Sequence, residues 1–203
     1  MSSDVTDTAT TDWRRELPPL SGRIVKLREP TIQDVGYLAD LLSLDDATRF
    51  GLDQPITAQK TRELVERAQQ ERAAGMSFTY LIEAAATRAP VGLIRVRQLD
   101  PAFEAAEWEC TLRPSARGTG VFLDVARLVG SFAFGKVGTY RLEARVLTQN
   151  GRATGALRKL GAVQEGVLRR SLRCGGEYFD QALWSVLKED WTDHWVSTAS
   201  RSD

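Results

Sequence analysis

Arg113-Pro-Ser-Ala-Arg117-Gly118-Thr119-Gly120 stands where a strand-forming run ends near Leu112 and an apolar helical pattern begins near Gly120. A tight turn there aims several backbone N–H groups outward at the positive end of a helix dipole. That is a seat for a phosphate or pyrophosphate. The glycines let the backbone approach the anion closely, and the arginines add charge. The seat comprises Arg113, Arg117, Gly118, Thr119, Gly120 and Val121. Asn150-Gly151-Arg152 opens a second helix, with Asn150 in an N-cap position and Arg152 as a further phosphate partner. Glu107 and Glu109 lie two apart on the strand before the turn, hence on one face. Two like charges side by side raise the proton affinity of one, which suits a base working near neutral pH.

Other chemistries find little material. The chain of 203 residues has a single histidine, His194, in a peripheral segment, so a Ser–His–Asp triad or a His-rich metal site has nothing to stand on. No metal is expected. The two cysteines, Cys110 and Cys174, share no ligand spacing and read as ordinary thiols of a reduced, cytoplasmic compartment. Formal net charge is +0, so no basic field points to nucleic acid or an anionic membrane. No apolar run approaches a membrane span, and the polar N-terminus has no signal-peptide pattern.

The elements that must position these residues follow from periodicity. Residues 1–19 read as a mobile tail in which Trp13 and Leu17 can dock, 20–191 as one domain, and 192–203 as a second tail. A strand is expected over Gly22–Arg28, then a helix capped by Thr31 with Asp34 in its first turn, and a surface helix from Thr57 to about Gly75. Ser77–Glu83 and Val91–Leu99 read as a hairpin, followed by a strand over Ala106–Leu112. A helix from Gly120 to about Val137, stopped by Gly138, leads to a strand over Arg141–Leu147 and a short helix ending at Gly161. A terminal hairpin turns at Cys174-Gly175-Gly176, and Trp191 and Trp195 fall in a last helical turn. The class is α+β: a mixed, mostly antiparallel sheet of about seven strands with flanking helices and one central βαβ crossover that carries the glycine turn.

With these residues in this order, the sequence resembles the acetyl-CoA-dependent N-acetyltransferases of the GNAT superfamily, and within it the Rim-type branch that includes ribosomal-protein N-terminal acetyltransferases. Arg117-Gly118-Thr119-Gly120-Val121-Phe122 is similar to the acyl-CoA pyrophosphate motif, with Phe122 where Gly or Ala is usual. Asn150 with Leu157-Arg158-Lys159-Leu160-Gly161-Ala162 is similar to the helix that follows, with Ala162 in place of Phe. The ending Glu165-Gly166-Val167-Leu168-Arg169 through Gly176-Glu177-Tyr178-Phe179-Asp180 is similar to the Rim-type tail.

The resemblance implies acetyl-CoA as co-substrate and a primary amine as acceptor, either a protein N-terminus or a small molecule. It implies strands that splay around the crossover, with pantetheine between them pairing with the backbone after Trp108. Gly118, Thr119, Gly120 and Val121 would offer N–H groups to the pyrophosphate, and Asn150 would bond the pantetheine arm or a water near the thioester. It also implies a homodimer through the terminal strands.

Amine acetylation needs a base for the ammonium, an oxyanion donor and a proton for the thiolate. Glu107 is the base the resemblance favours, with Glu109 as neighbour. The Ser that Rim-type members often carry three residues after the Asn is Ala153 here, which leaves Thr154 as a substitute acid, Tyr140 and Tyr178 as further candidates, and a thiolate that leaves without a dedicated acid as the alternative. Arg49-Phe50-Gly51 falls where family members shape the acceptor pocket. Two other readings stand beside this one: a non-catalytic acyl-CoA sensor of the same fold, and a dinucleotide-binding domain, for which Leu123 stands where a third glycine belongs.

Overall fold

A computed structural model describes residues 12–43 and 57–191. Arg49-Phe50-Gly51, His194 and Trp195 lie outside the described residues. The described chain forms one eight-stranded sheet in the order β1-β2-β3-β4-β5-β6-β8-β7. Its strands are β1 (Leu20–Ser21), β2 (Val25–Arg28), β3 (Ser77–Ala84), β4 (Pro90–Gln98), β5 (Ala105–Leu112), β6 (Arg141–Leu147), β7 (Val163–Cys174) and β8 (Glu177–Leu187). Every neighbouring pair is antiparallel except β5 and β6, which are parallel. A dinucleotide-binding domain needs a repeated parallel unit, and this sheet has a single crossover, so that reading fails.

The helices are α1 (Val35–Leu42), α2 (Ala58–Ala73), α3 (Val121–Phe132) and α4 (Gly151–Lys159). The approach to α1 is a short 3-10 turn, Ile32–Asp34, in which the Asp34 carboxylate accepts the Thr31 N–H at 2.7 Å and the Thr31 hydroxyl at 3.0 Å. Thr57 caps α2 by accepting the Lys60 N–H at 3.2 Å. After Phe132 the helix widens into a π-helical turn, Ala133–Val137, that Gly138 stops at φ 95°. That is the left-handed position a glycine fills without strain.

Side chains alternate between two layers. Phe78, Tyr80, Ile94, Val96, Ala106 and Leu142 pack with Val125, Val129 and Phe132 of α3 in the main core. Leu81 points the other way, into a smaller cluster with Val35, Leu38 and Leu41 of α1 and Val65 of α2. Trp13 and Leu17 are buried in the main core, and the Trp13 ring meets Phe78 and Phe103 edge-on, each at 5.7 Å. The stretch from Asp12 to Pro19 is therefore part of the packed domain, because two apolar side chains one helical turn apart outweigh its polar composition. At the other end Trp191 lies in a helical turn and is buried against Phe134 and Trp108, at centroid distances of 5.5 and 6.4 Å.

Candidate active site

Parallel strands β5 and β6 pair over only three rungs: Ala105 with Arg141, Ala106 with Leu142, and Glu107 with Glu143. Beyond them β5 stays bonded to β4 as far as Leu112 opposite Gly92, and β6 stays bonded to β8 as far as Leu147 opposite Gln181. The facing edges of Trp108–Leu112 and Ala144–Leu147 are left without each other, so the sheet opens as a wedge. Unpaired strand edges are a template for an extended, amide-bearing chain. Because the arms are parallel, both wide ends lead into helix N-termini: α3 after β5 and α4 after β6.

The turn at the β5 arm runs through a 3-10 segment, Pro114–Ala116, into Arg117-Gly118-Thr119-Gly120. Gly118 and Gly120 have φ of 79° and 88°, values an L side chain adopts only at a cost. A β-carbon on Gly118 would meet nothing within 4 Å, so its requirement is conformational and the space beside it is open. Thr119 donates its hydroxyl to the Ala116 carbonyl at 2.7 Å, which ties the turn back on itself. Gly120 is the N-cap of α3 and brings no side-chain cap, so the amides of the first turn remain available to an anion. Phe122, the bulky departure from the motif, packs its ring edge against Trp108 at 6.5 Å.

At the β6 arm Asn150 is the N-cap of α4 and accepts the Ala153 N–H through Oδ1 at 3.1 Å. Its Nδ2 is left as the donor of that side chain. Arg152 is exposed in the first turn of α4, and Thr154 is half-buried with its N–H on the Asn150 carbonyl at 3.1 Å.

The arginines and carboxylates take places that strand reading alone does not give. Arg117 donates Nε to the Leu112 carbonyl at 3.1 Å, and Arg113 stacks over the Tyr37 ring of α1 at 4.5 Å. Glu107 is 3% exposed, at the crotch of the wedge, and pairs with Arg97 of β4 and, at 3.4 Å, with Arg145 of β6. Burial pushes its carboxyl up, Arg97 and Arg145 pull it down, and Glu109 pushes it up again; the net direction is above the ordinary carboxylate value. The like-charge effect expected of Glu109 is present, but burial is the larger cause. Glu109 itself is exposed, on the same face and one step into the wedge, opposite Arg95 of β4.

Two candidate acids are placed elsewhere. Tyr140 is 49% exposed, precedes the closed end of the wedge, and its hydroxyl bonds Glu189 at 3.1 Å. Tyr178 is 60% exposed beside the turn of the terminal hairpin. Neither is a half-buried core residue, since both sit at strand ends where the sheet meets solvent. What sequence reasoning missed is the pair Arg97 and Arg145. The signal was the matched alternation Arg95-x-Arg97 and Glu107-x-Glu109 on strands expected to be neighbours.

Comparison with known proteins follows this geometry. The profile of the acetyltransferase (GNAT) domain matches residues 25–163. The N-acetyltransferase YoaA of Bacillus subtilis (strain 168) is 26% identical over 163 residues, 80% of this chain and 92% of its own length. A spermidine N(1)-acetyltransferase of Escherichia coli (strain K12) is 25% identical over 162 residues, 78% of this chain and 83% of its own length. Among solved structures, a spermidine N-acetyltransferase from Vibrio cholerae in complex with CoA and spermine superimposes with a TM-score of 0.73 over 83% of this chain and 98% of that one, at 17% identity.

Proposed function

Because the chain belongs to the acetyltransferase (GNAT) domain family, we propose that it moves an acetyl group from acetyl-CoA directly to a primary amine, with both substrates bound at once. The observation that carries this reading is the wedge between β5 and β6, open toward the uncapped glycine turn. The residues fit the co-substrate: unpaired strand edges suit the amides of a pantetheine arm, and the free amides of Gly118–Val121 suit a pyrophosphate.

In this reading the inner edge of Trp108–Leu112 holds the arm as an added strand, and Asn150 donates Nδ2 to it from the other side. The thioester then stands across the wedge beside Glu109. The ammonium first gives one proton to Glu109, the carboxylate that is exposed, directly or through one water. The freed amine nitrogen then bonds to the acetyl carbon, the carbon–sulfur bond breaks, and CoA leaves as the thiol, its proton handed on by a hydroxyl that takes up the second proton of the nitrogen. Glu107, committed to two arginines, is a positioning residue that holds the arms at their opening. Thr154 is the hydroxyl we assign to the departing thiolate. The tail Glu165–Asp180 supports a Rim-type placement, and exposed Val163 and Val167 on edge strand β7 support a homodimer along it, checked by sedimentation. The amine class extends from small molecules, as the spermidine enzyme's name has it for that relative, to protein N-termini.

The test is calorimetric titration with acetyl-CoA of the wild type and of Gly120→Glu, followed by thiol detection over a panel of amines. Gly120→Glu puts bulk and negative charge into the seat. Wild-type binding that the variant loses supports the reading; a wild type that does not bind acetyl-CoA overturns it.

A further inference from the structure

We infer that the acceptor amine carries a compact apolar group, seated between α1, α2 and the sheet; this rests on the acetyl-transfer reading above. A cavity of about 240 Å³ lies there, walled by Leu38 and Leu42 of α1 and by Leu64 and Val65 of α2, and floored by Thr79 and Leu93 of the sheet. A cavity of about 150 Å³ with aliphatic walls already takes benzene, so this one has room for an aryl or branched alkyl group. Its floor adjoins the wedge. Leu93 is the register partner of Thr111 and Arg95 that of Glu109, which puts these β4 residues one strand, about 4.8 Å, from the β5 arm and Thr79 of β3 one strand further, all on the face that carries Glu109.

Charge around the cavity decides what kind of amine fits. Glu71 is the acid on its lining, and its carboxylate is already engaged by the Ser77 hydroxyl and by Arg95, each at 2.7 Å. Arg67 adds positive charge to the lining. Among the described lining residues a polyamine's second ammonium would meet arginines and a carboxylate already engaged, and burying a charge so is costly. Thr79 is 6% exposed with its Oγ1 fully buried, so what it offers the cavity floor is carbon. A compact apolar group satisfies both the walls and the floor; spermidine satisfies neither.

The experiment is thiol release from acetyl-CoA with tyramine, 2-phenylethylamine, spermidine and ethylamine, for the wild type and Ala68→Phe. Ala68 lines the same cavity, and a phenyl ring there fills it. The expected result is that kcat/KM for the two aryl amines exceeds that for spermidine by about tenfold or more. Ala68→Phe should remove that advantage through KM while ethylamine turnover and acetyl-CoA affinity stay, which also shows that the variant folds. Spermidine as the better substrate, Ala68→Phe that leaves the aryl amines untouched, or an enzyme that binds acetyl-CoA and acetylates neither aryl amine overturns this inference and leaves acetyl transfer standing. Absence of acetyl-CoA binding overturns acetyl transfer itself, and this inference with it.

Discussion

The carboxylate of Glu107, the last residue of β5 paired to β6, meets the guanidinium of Arg145, two residues beyond the last rung on β6, at 3.4 Å. Its other oxygen holds Arg97 of β4. One side chain thus ties three strands where two of them part. A sheet tends to zip: nothing in the backbone of Trp108 or Ala144 forbids another rung. The cross-strand charges sit where the zipping stops, at the opening proposed for the co-substrate.

Glu107→Gln keeps the shape and removes the charge. It loosens the tie between two arginines, both about one-third exposed, but the buried carboxyl already favours its neutral form, so little stability is lost. The expected outcome is a near-native urea midpoint and a raised KM for acetyl-CoA with kcat less affected. A variant that loses kcat alone would make Glu107 the base.

Glu109→Gln should do the reverse. A positioned base contributes about 10²–10⁴-fold, so kcat falls by that order while acetyl-CoA affinity and stability hold. Raising the pH, which frees the amine without help, should recover part of the rate. Thr154→Val tests the other proton: kcat falls and Thr154→Ser restores it. No loss in Glu109→Gln at neutral pH would move the proton to water alone.

The strands, helices and glycine turn were legible because each is local. Periods of two and of 3.6 name the elements, and two glycines at left-handed φ mark the turn. The wedge was legible only through family resemblance, since register is set between strands and leaves no trace in composition. The same holds for Glu107. Its place on the strand could be read, but its burial between Arg97 and Arg145 needed the neighbours of β5 on both sides. The stacking of Arg113 on Tyr37, a residue 76 positions earlier in the chain, was likewise not legible. Trp13 and Leu17 read as a tail for a like reason: their partners, Phe78 and Phe103, are remote in sequence.

Acid should unfold the protein partly through Asp34. Burial alone would push its carboxyl up, but hydrogen bonds from Arg28 and Thr31 outweigh it and hold it below the usual range of about 4. A depressed carboxylate contributes stability that is present above the unfolded value and is lost as pH falls through the folded one. Asp34→Asn should therefore flatten the acid limb of the stability curve. Glu107 has the opposite sign: its raised value contributes stability below the ordinary carboxylate range, lost as pH rises through the folded value. Urea midpoints from pH 3 to 7 for the wild type and both variants check the two signs; equal slopes in wild type and Asp34→Asn would refute the first.

Gly92 and Gly130 separate damage to the site from damage to the fold. A β-carbon at Gly92 would stand 2.4 Å from the Thr111 carbonyl oxygen and 2.6 Å from Leu112 Cδ2, so β4 must push against the β5 arm. A β-carbon at Gly130 would stand 2.5 Å from the Trp191 ring, on the α3 side of the core. Overpacking of either kind costs about 1–3 kcal/mol, so Gly92→Ala and Gly130→Ala should lower the melting temperature by similar amounts. They should differ in what else they change. Thr111 and Leu112 lie on the wedge edge proposed to receive the co-substrate, so Gly92→Ala should raise KM for acetyl-CoA several-fold at temperatures where the protein is fully folded. Gly130→Ala leaves KM unchanged at the same temperature. Steady-state kinetics on the two variants, run well below both melting points, decides it: equal KM values would place the co-substrate away from the β5 arm.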